Sequence, residues 1–468
     1  MGTSSRVLTA TAARQDPGLD DWLAAAAARN TIVAERADLN ELPGWYVDPD
    51  SGDIRHVSGR FFSVTGLSAE RDQGPIPSWT QPIIQQPEVG ILGLLTKRVD
   101  GDLHFLLQAK AEPGNCNGIQ LSPTVQATYS NYTRVHGGKP VPYLEHFVGR
   151  SSGRVLVDVL QSEQGSWFYQ KRNRNMIVEV TGEVEPSLDF RWVSLDDLYA
   201  LLRQADMVNM DTRTVLACLP LHRLGGSLTP PGAADGRLTS LVRRSLDPGS
   251  PVSVGWANML SWVTDNRCVD RIRARTVPLR EVGPAWRRLP DRICHQSERF
   301  FSIVGVDVRA TGREVQAWAQ PMLRPHGTGL AAVLVTDVDG VLHLLVRIAP
   351  AVGYRESVEL APTVQCTPDN YVDVASRPGF LDELPTTATD RLLFDTVLSE
   401  EGGRFLHART RYVVLEVRHA DYRDVPDDYR WLTLAQLGDL LQHSHYVNVE
   451  ARTLVAAVHS LAAGPGRD

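Results

Sequence analysis

The sequence predicts an α+β protein made by tandem duplication of one module. The first observation is a repeat in constant register. Phe61-Phe62-Ser63-Val64 returns as Phe300-Phe301-Ser302-Ile303, and Trp79-Thr80-Gln81-Pro82 returns as Trp318-Ala319-Gln320-Pro321. Leu121–Gln126 returns as Leu360–Gln365, Asn131-Tyr132 as Asn370-Tyr371, and Val208-Asn209 as Val447-Asn448. Each pair is 239 residues apart (318 minus 79), except Ser162-Glu163 and Ser399-Glu400, which are 237 apart because a loop has lost two residues. That period is too long for a solenoid and suits a domain of roughly 200 residues. The second observation is that hairpin-linked strand patterns mix with helical ones, the mark of α+β and not of a doubly wound parallel sheet.

Each copy opens with a helix, at Leu19–Arg29 and Trp256–Cys268. Strands follow at Gly90–Lys97 and Leu103–Lys110, joined by Val99-Asp100-Gly101-Asp102. Their counterparts are Ala331–Thr336 and Val341–Arg347, joined by Asp337-Val338-Asp339-Gly340. Asp-Gly between β-rich apolar runs signals a hairpin. Leu121–Ala127 and its copy predict a strand. The apolar spacing of Val155–Glu163 and Arg391–Glu401, each run stopping at a glycine, predicts helices. Met176–Val180 and Tyr412–Val417 predict short strands. Arg191–Leu198 and Arg430–Leu437 each predict a strand running into a helix, capped by Ser194 or Thr433. Helices after Asn209 and Asn448 close the copies.

The expected boundaries are 16–224 for the first module, 225–255 for a linker rich in Pro and Gly, and 256–463 for the second module. Hydrophobic content of 43% over 468 residues allows large cores, and the net charge of -7 argues against a nucleic-acid binder. The five cysteines form no CxxC pair, which fits the reducing cytoplasm. No stretch has signal-peptide or membrane-span character.

Several runs carry a resemblance. Phe61-Phe62-Ser63-Val64, Trp79–Ile84, Glu88–Leu92, Leu121–Thr128 and Ser130-Asn131-Tyr132 resemble the NDP-hexose 2,3-dehydratases over nearly the whole chain. The resemblance implies two Nudix-like modules, each a mixed sheet flanked by helices. It also implies a dTDP-4-keto-6-deoxyglucose type of substrate, a place in deoxysugar and antibiotic biosynthesis, a downstream 3-ketoreductase and a homodimer. The wider Nudix motif gathers carboxylates on one helix around Mg²⁺. Here Val159-Leu160 and Thr396-Val397 stand where its Arg-Glu pair belongs. A Mg²⁺-dependent pyrophosphohydrolase is therefore the weaker rival, and a non-catalytic nucleotide-sugar binder is the other.

The implied reaction needs a base for the C3 hydrogen, which the C4 ketone acidifies, and an acid for the departing C2 hydroxyl. It also needs donors for the enolate oxygen and the diphosphate. The chemistry calls for no cofactor. Tyr132, Glu163 and His56 are the catalytic candidates. The substrate-binding candidates in the first copy are Arg60, Trp79, Gln126, Asn131, Tyr143, Arg172, Arg174 and Asn175, with Lys171 in the same basic run. Those in the second are Arg299, Gln365, Asn370, Tyr371, Arg409 and Tyr412. A structural role competes with each: shared polar residues can satisfy backbone groups, and the tryptophans can be core. The first copy, richer in Tyr, His and Lys over Tyr129–His146, is the expected reaction site. Gly149–Gly153 matches GxSxG, but the second copy lacks it and no parallel sheet is expected to support it. Gly327–Ala332 matches a dinucleotide fingerprint but precedes its strand.

Overall fold

The computed structural model describes residues 18–72, 76–129, 140–149, 153–224, 236–269, 271–312, 315–371, 377–385, 387 and 389–463. Copy one runs α1 (Leu19–Arg29), β1 (Ile32–Ala37), β2 (Trp45–Val47), β3 (Ile54–His56), β4 (Ser63–Arg71), β5 (Ser78–Gln85), β6 (Gly90–Val99), β7 (Asp102–Ala111), β8 (Ile119–Ser122) and β9 (Val125–Ala127). It continues with β10 (Arg154–Ser162), β11 (Arg172–Glu179), β12 (Phe190–Ser194), α2 (Leu195–Leu202) and α3 (Met210–Ala217), then reaches α4 (Arg237–Leu246). Copy two repeats the order with α5 (Trp256–Arg267), β13 (Ile272–Val277), β14 (Trp286–Arg288), β15 (Arg292–His295), β16 (Phe301–Ala310), β17 (Ala317–Pro325), β18 (Gly329–Val338) and β19 (Val341–Pro350). Then come β20 (Val358–Pro362), β21 (Val364–Cys366), β22 (Leu392–Ser399), β23 (Arg409–Glu416), β24 (Tyr429–Thr433), α6 (Leu434–Leu440) and α7 (Val449–Ser460).

Each copy has a seven-stranded mixed sheet. In copy one the order is β10-β11-β6-β7-β12, with β8 on β7 and β9 on β6. Only β11 and β6 run parallel. The expected Asp-Gly hairpins are β6–β7 and β18–β19. Ser194 and Thr433 cap α2 and α6, and Asn209 and Asn448 cap α3 and α7 through their side-chain oxygens.

The smaller sheets exchange a strand. β1 of copy one pairs with β16 of copy two, and β13 of copy two pairs with β4 of copy one. Glycine is required where they cross. A Cβ on Gly66 would lie 2.8 Å from the Val277 carbonyl oxygen, and one on Gly305 would lie 2.7 Å from that of Ala37. One apolar core then spans both copies, joining Leu94, Ile177 and Leu216 to Val333, Val414 and Val455. Each such buried side chain stabilises by about 1.5–3 kcal/mol.

Three expectations are corrected. Val155–Glu163 and Arg391–Glu401 are not helices but the strands β10 and β22. A bulge between Val155 and Val157, matched between Leu392 and Phe394, breaks the two-residue alternation and leaves helix-like spacing. Leu121–Ala127 is two strands: the chain turns at Pro123 and crosses from β7 to β6. The stretch expected as linker contains α4, which buries Leu241, Val242 and Leu246 in the shared core.

Candidate active site

The β10–β11 hairpin brings two titratable residues together at its mouth. The Glu163 amide donates to the Lys171 carbonyl at 3.1 Å. Asn173 Nδ2 donates to Glu163 Oε1 at 2.6 Å, and Asn173 Oδ1 accepts from the Gly90 amide at 3.1 Å. Lys171 Nζ donates to the Glu88 carbonyl at 2.5 Å. Next to them, Lys110 Nζ lies 3.1 Å from Glu112 Oε1 and 2.8 Å from Gln126 Oε1, and Gln126 Nε2 donates to Glu112 at 3.1 Å. Asp211, in the first turn of α3, is buried near the same carboxylates.

Copy two supplies the remaining charges from its β22–β23 loop. Glu401 accepts from the amides of Gly403 and Arg404, each at 2.8 Å. Arg404 Nε donates to Gln86 Oε1 at 3.1 Å, and its guanidinium lies 4.2 Å from the centre of the Phe62 ring.

Burial dominates the electrostatics. It pushes Glu163 above the usual carboxylate range, against the pull of Arg452, Lys171 and the Asn173 bond. It brings Lys171 down to about 8. Burial, then the Glu112 charge, raises Glu401 to about 7. Burial, then Glu163, Glu401 and Glu112, holds Asp211 well above its ordinary value. A carboxyl raised and an ammonium lowered from their ordinary values can exchange protons with a substrate.

The same place in copy two is different. Ala349, Ala351 and Ala408 replace Lys110, Glu112 and Lys171. Tyr412 replaces Asn175 and is fully buried. Its hydroxyl donates to Glu400 Oε1 at 2.9 Å, while Gln164 Nε2 donates to Glu400 Oε2 at 2.9 Å. Beside the copy-one cluster a cavity of about 380 Å³ is lined by Glu88, Gly90, Ile91, Tyr129, Val148 and Arg174.

Of the expected site residues, Glu163 and Gln126 join this cluster, and Asn175 is buried beside the Cys218 thiol. Arg174 lines the cavity, although Asp158 pairs it at 2.7 and 2.6 Å. Tyr132 and Asn131 lie outside the described residues. His56 ends β3. Its Nδ1 is 2.8 Å from Ser58 Oγ and its ring packs edge-on to Trp45 and Phe61, as His295 does with Ser297, Trp286 and Phe300. The same histidine-held turn occurs in both copies. The Arg60 amide donates to Ser58 Oγ at 3.3 Å, in the same turn. Trp79 donates to Gln81 at 2.9 Å, as Trp318 does to Gln320 at 3.0 Å. Tyr143 is held by the Glu185 carbonyl and the Ser187 amide.

Arg172 sits beside His445, whose pKa is down at about 4, first from burial and then from that charge. Arg409 pairs with Asp206. Arg299 stands beside His295. Gln365 accepts from Asn448 at 2.8 Å, Asn370 accepts from the Phe300 amide at 3.2 Å, and Tyr371 is half-buried. The sequence reading missed Lys110, Glu112, Asp211, Glu401 and Arg404. The signal was present: Lys110 and Glu112 at the 239-residue shift, and Lys171 at the 237-residue shift, stand opposite three alanines of copy two.

Comparison with known proteins agrees with the duplication. The family model described as NDP-hexose 2,3-dehydratase matches twice, at residues 16–219 and 256–458. A dTDP-4-dehydro-6-deoxy-alpha-D-glucopyranose 2,3-dehydratase of Streptomyces violaceoruber is 49% identical over 95% of this chain and 97% of its own length. Proteins of the same name from Saccharopolyspora spinosa and Amycolatopsis orientalis are 48% and 44% identical, over 94% and 95% of this chain and 90% of each relative. With both copies matched and the likeness running almost end to end, the chain belongs to the NDP-hexose 2,3-dehydratase family.

Proposed function

We propose that this enzyme removes water across C2 and C3 of a dTDP-4-keto-6-deoxyhexose, and that the reaction centre is the copy-one cluster around Glu163 and Lys171. The observation that carries the assignment is the pairing of a raised carboxyl with a lowered ammonium at the β10–β11 mouth, where copy two has Glu400 facing Tyr412 and Ala408. Glu163 carboxylate takes H3, and the C3–H electron pair becomes the enolate of the C4 ketone. As C4=O reforms, the C2–C3 double bond forms and the C2–O bond breaks. The Lys171 ammonium gives its proton to the departing hydroxyl, which leaves as water. The resulting 3-enol ketonises when C2 takes the proton from Glu163 and the O3 proton passes to Lys171, restoring both groups. Lys110 and Gln126 serve as donors to oxygens in this reading, and Arg174 at the cavity wall as the partner of the diphosphate.

The product is a 3,4-diketo-2,6-dideoxy sugar, which requires a 3-ketoreductase to consume it. The parallel β6–β11 pair within a mixed sheet supports the Nudix-like reading of each copy. A homodimer working in the cytoplasm completes this reading.

Incubation with dTDP-4-keto-6-deoxyglucose in D₂O, with chelator and a 3-ketoreductase as trap, tests it by mass spectrometry. Loss of one water is expected, with deuterium at C2 to the extent that the Glu163 carboxyl exchanges its proton with solvent before delivering it. Glu163→Gln and Lys171→Met should each lower kcat at least 100-fold while dTDP binding persists. Substrate recovered intact, or diphosphate cleavage on adding Mg²⁺, defeats the proposal.

A further inference from the structure

Glu163 depends on its own backbone for its aim. Asn173 holds Oε1 at 2.6 Å, while Oε2 is buried with no hydrogen-bond partner among the described residues. The direction of that second oxygen is therefore set by the residues on either side, and copy two grips both. Ser162 Oγ donates to Glu359 Oε2 at 2.6 Å, and Arg452 donates to the Ser162 carbonyl at 2.6 Å. Gln164 Nε2 donates to Glu400 Oε2 at 2.9 Å, and the Tyr412 hydroxyl donates to Glu400 Oε1 at 2.9 Å. Within its own loop the Gln164 carbonyl accepts from the amides of Trp167 and Phe168 at 3.0 and 2.9 Å. Ser162, Gln164, Glu359 and Glu400 are all buried, so bulk water does not stand in for these bonds. Copy one returns the grip only in part. Gln120 Nε2 donates to Ser399 Oγ at 2.6 Å, but Glu401, at the place of Gln164, turns its oxygens to the amides of Gly403 and Arg404.

We infer that Glu400 and Glu359 are positioning residues: Glu400, the copy-two counterpart of Glu163, takes no proton from substrate but aims Glu163 through Gln164, while Glu359 steadies the other side through Ser162. The inference rests on the proposed role of Glu163 as the base. Glu400 is kept from the chemistry of its twin by its surroundings. Each of its two oxygens already accepts from a donor, and Ala408 stands where copy one has Lys171. Hydrogen bonds to a carboxyl are strong and directional, and a buried one holds a strand end more firmly than packing alone. A base must meet its proton within hydrogen-bond reach, so a small swing of the backbone at 162–164 is felt in the rate and not in the binding of the nucleotide.

The test is steady-state kinetics on dTDP-4-keto-6-deoxyglucose for Gln164→Met, Glu400→Ala, Glu400→Gln, Ser162→Ala and Glu163→Gln. Gln164→Met and Glu400→Ala should each lower kcat roughly 10- to 100-fold with KM within about twofold, the loss expected of a misaimed group. The double variant should be no slower than the slower single, because both remove one bond. Ser162→Ala should lower kcat by about three- to tenfold, since Arg452 still holds the carbonyl. Glu400→Gln keeps an oxygen that accepts from Gln164, so it should stay within about threefold of wild type. If Glu400→Ala fails to fold, Gln164→Met decides, because it removes the donor and nearly keeps the volume. Wild-type kcat in Gln164→Met overturns the inference. So does a Glu400→Gln variant as inactive as Glu163→Gln, which would make the copy-two carboxyl a chemical group. Full turnover by Glu163→Gln strikes the role of Glu163 itself instead.

Discussion

Arg213 and Arg452 are equivalent residues that each clasp the other copy's sheet. Arg213 donates to the Val208 carbonyl at 2.6 Å and to the Ser399 carbonyl at 2.8 Å. Arg452 donates to the Val447 carbonyl at 2.7 Å and to the Ser162 carbonyl at 2.6 Å. Both guanidinium groups are fully buried at the centre of the shared core. Ser162 and Ser399 directly precede Glu163 and Glu400, so the arginines fix the strand ends that carry these carboxyls. Arg213→Met leaves two buried carbonyls without a donor and should cost about 2–5 kcal/mol. Urea unfolding measures the loss, and a change below about 0.5 kcal/mol would contradict the clasp.

The close approach of Gly114 and Gly353 to the opposite copy gives a second expectation. A Cβ at Gly114 would lie 1.8 Å from the Phe405 carbonyl oxygen, and one at Gly353 would lie 1.8 Å from that of Phe168. Backbone must move to admit it, so Gly114→Ala and Gly353→Ala should each lower the melting temperature sharply. Gly182→Ala meets nothing within 4 Å and should stay within about 0.5 kcal/mol of wild type.

Stability should fall as pH rises from about 5 to 8. Burial raises Glu359 and Glu401 to about 7 and Glu450 to about 8, whereas unfolded glutamates titrate at about 4.3. Between those values the folded chain holds more protons than the unfolded one, and stability drops with pH where that is so. The contribution is complete below the unfolded pKa and is lost as pH passes 7 to 8. Calorimetry across pH 5.5–8.5 should show a declining melting temperature, and Glu450→Gln should flatten the decline.

The duplicated ion pairs Arg174–Asp158 and Arg411–Asp395 separate geometry from function. Both are bidentate, with contacts of 2.6–2.7 Å. Only Arg174 lines the cavity beside the charged cluster. Arg174→Gln should raise KM for the nucleotide sugar about tenfold with little change in kcat, the loss expected of one exposed charge-assisted contact. Arg411→Gln should leave KM within twofold. Equal effects would remove the cavity from the proposal.

The duplication was legible because identity at a fixed shift survives whatever each residue does. Hairpins and caps were legible because Asp-Gly turns and the Ser194, Thr433, Asn209 and Asn448 caps are local. The strand β10 was not, because a bulge disguises its period. Within the site, Glu163 and Gln126 stood out as polar residues shared by both copies. Lys110, Glu112 and Asp211 did not, because the first two are absent from copy two and the third recurs as Glu450. Arg404 and Glu401 could not be placed at all: Gln86 and Phe62, the copy-one groups that Arg404 meets, lie over 300 residues away in sequence. The emphasis on shared positions also drew attention to His56 and Trp79, whose hydrogen bonds to a neighbour two residues on recur in both halves.

Lending β1 to one neighbour and borrowing β13 from the other has a lasting effect on how this chain can change. Either half, cut free, would lose a strand from one sheet and expose the raw edge of another. The half with alanine at the places of Lys110 and Lys171 can therefore drift in its side chains while its outline is held by the sheets it shares with the other half. A lineage that once doubled its gene in this way cannot easily return to a single copy.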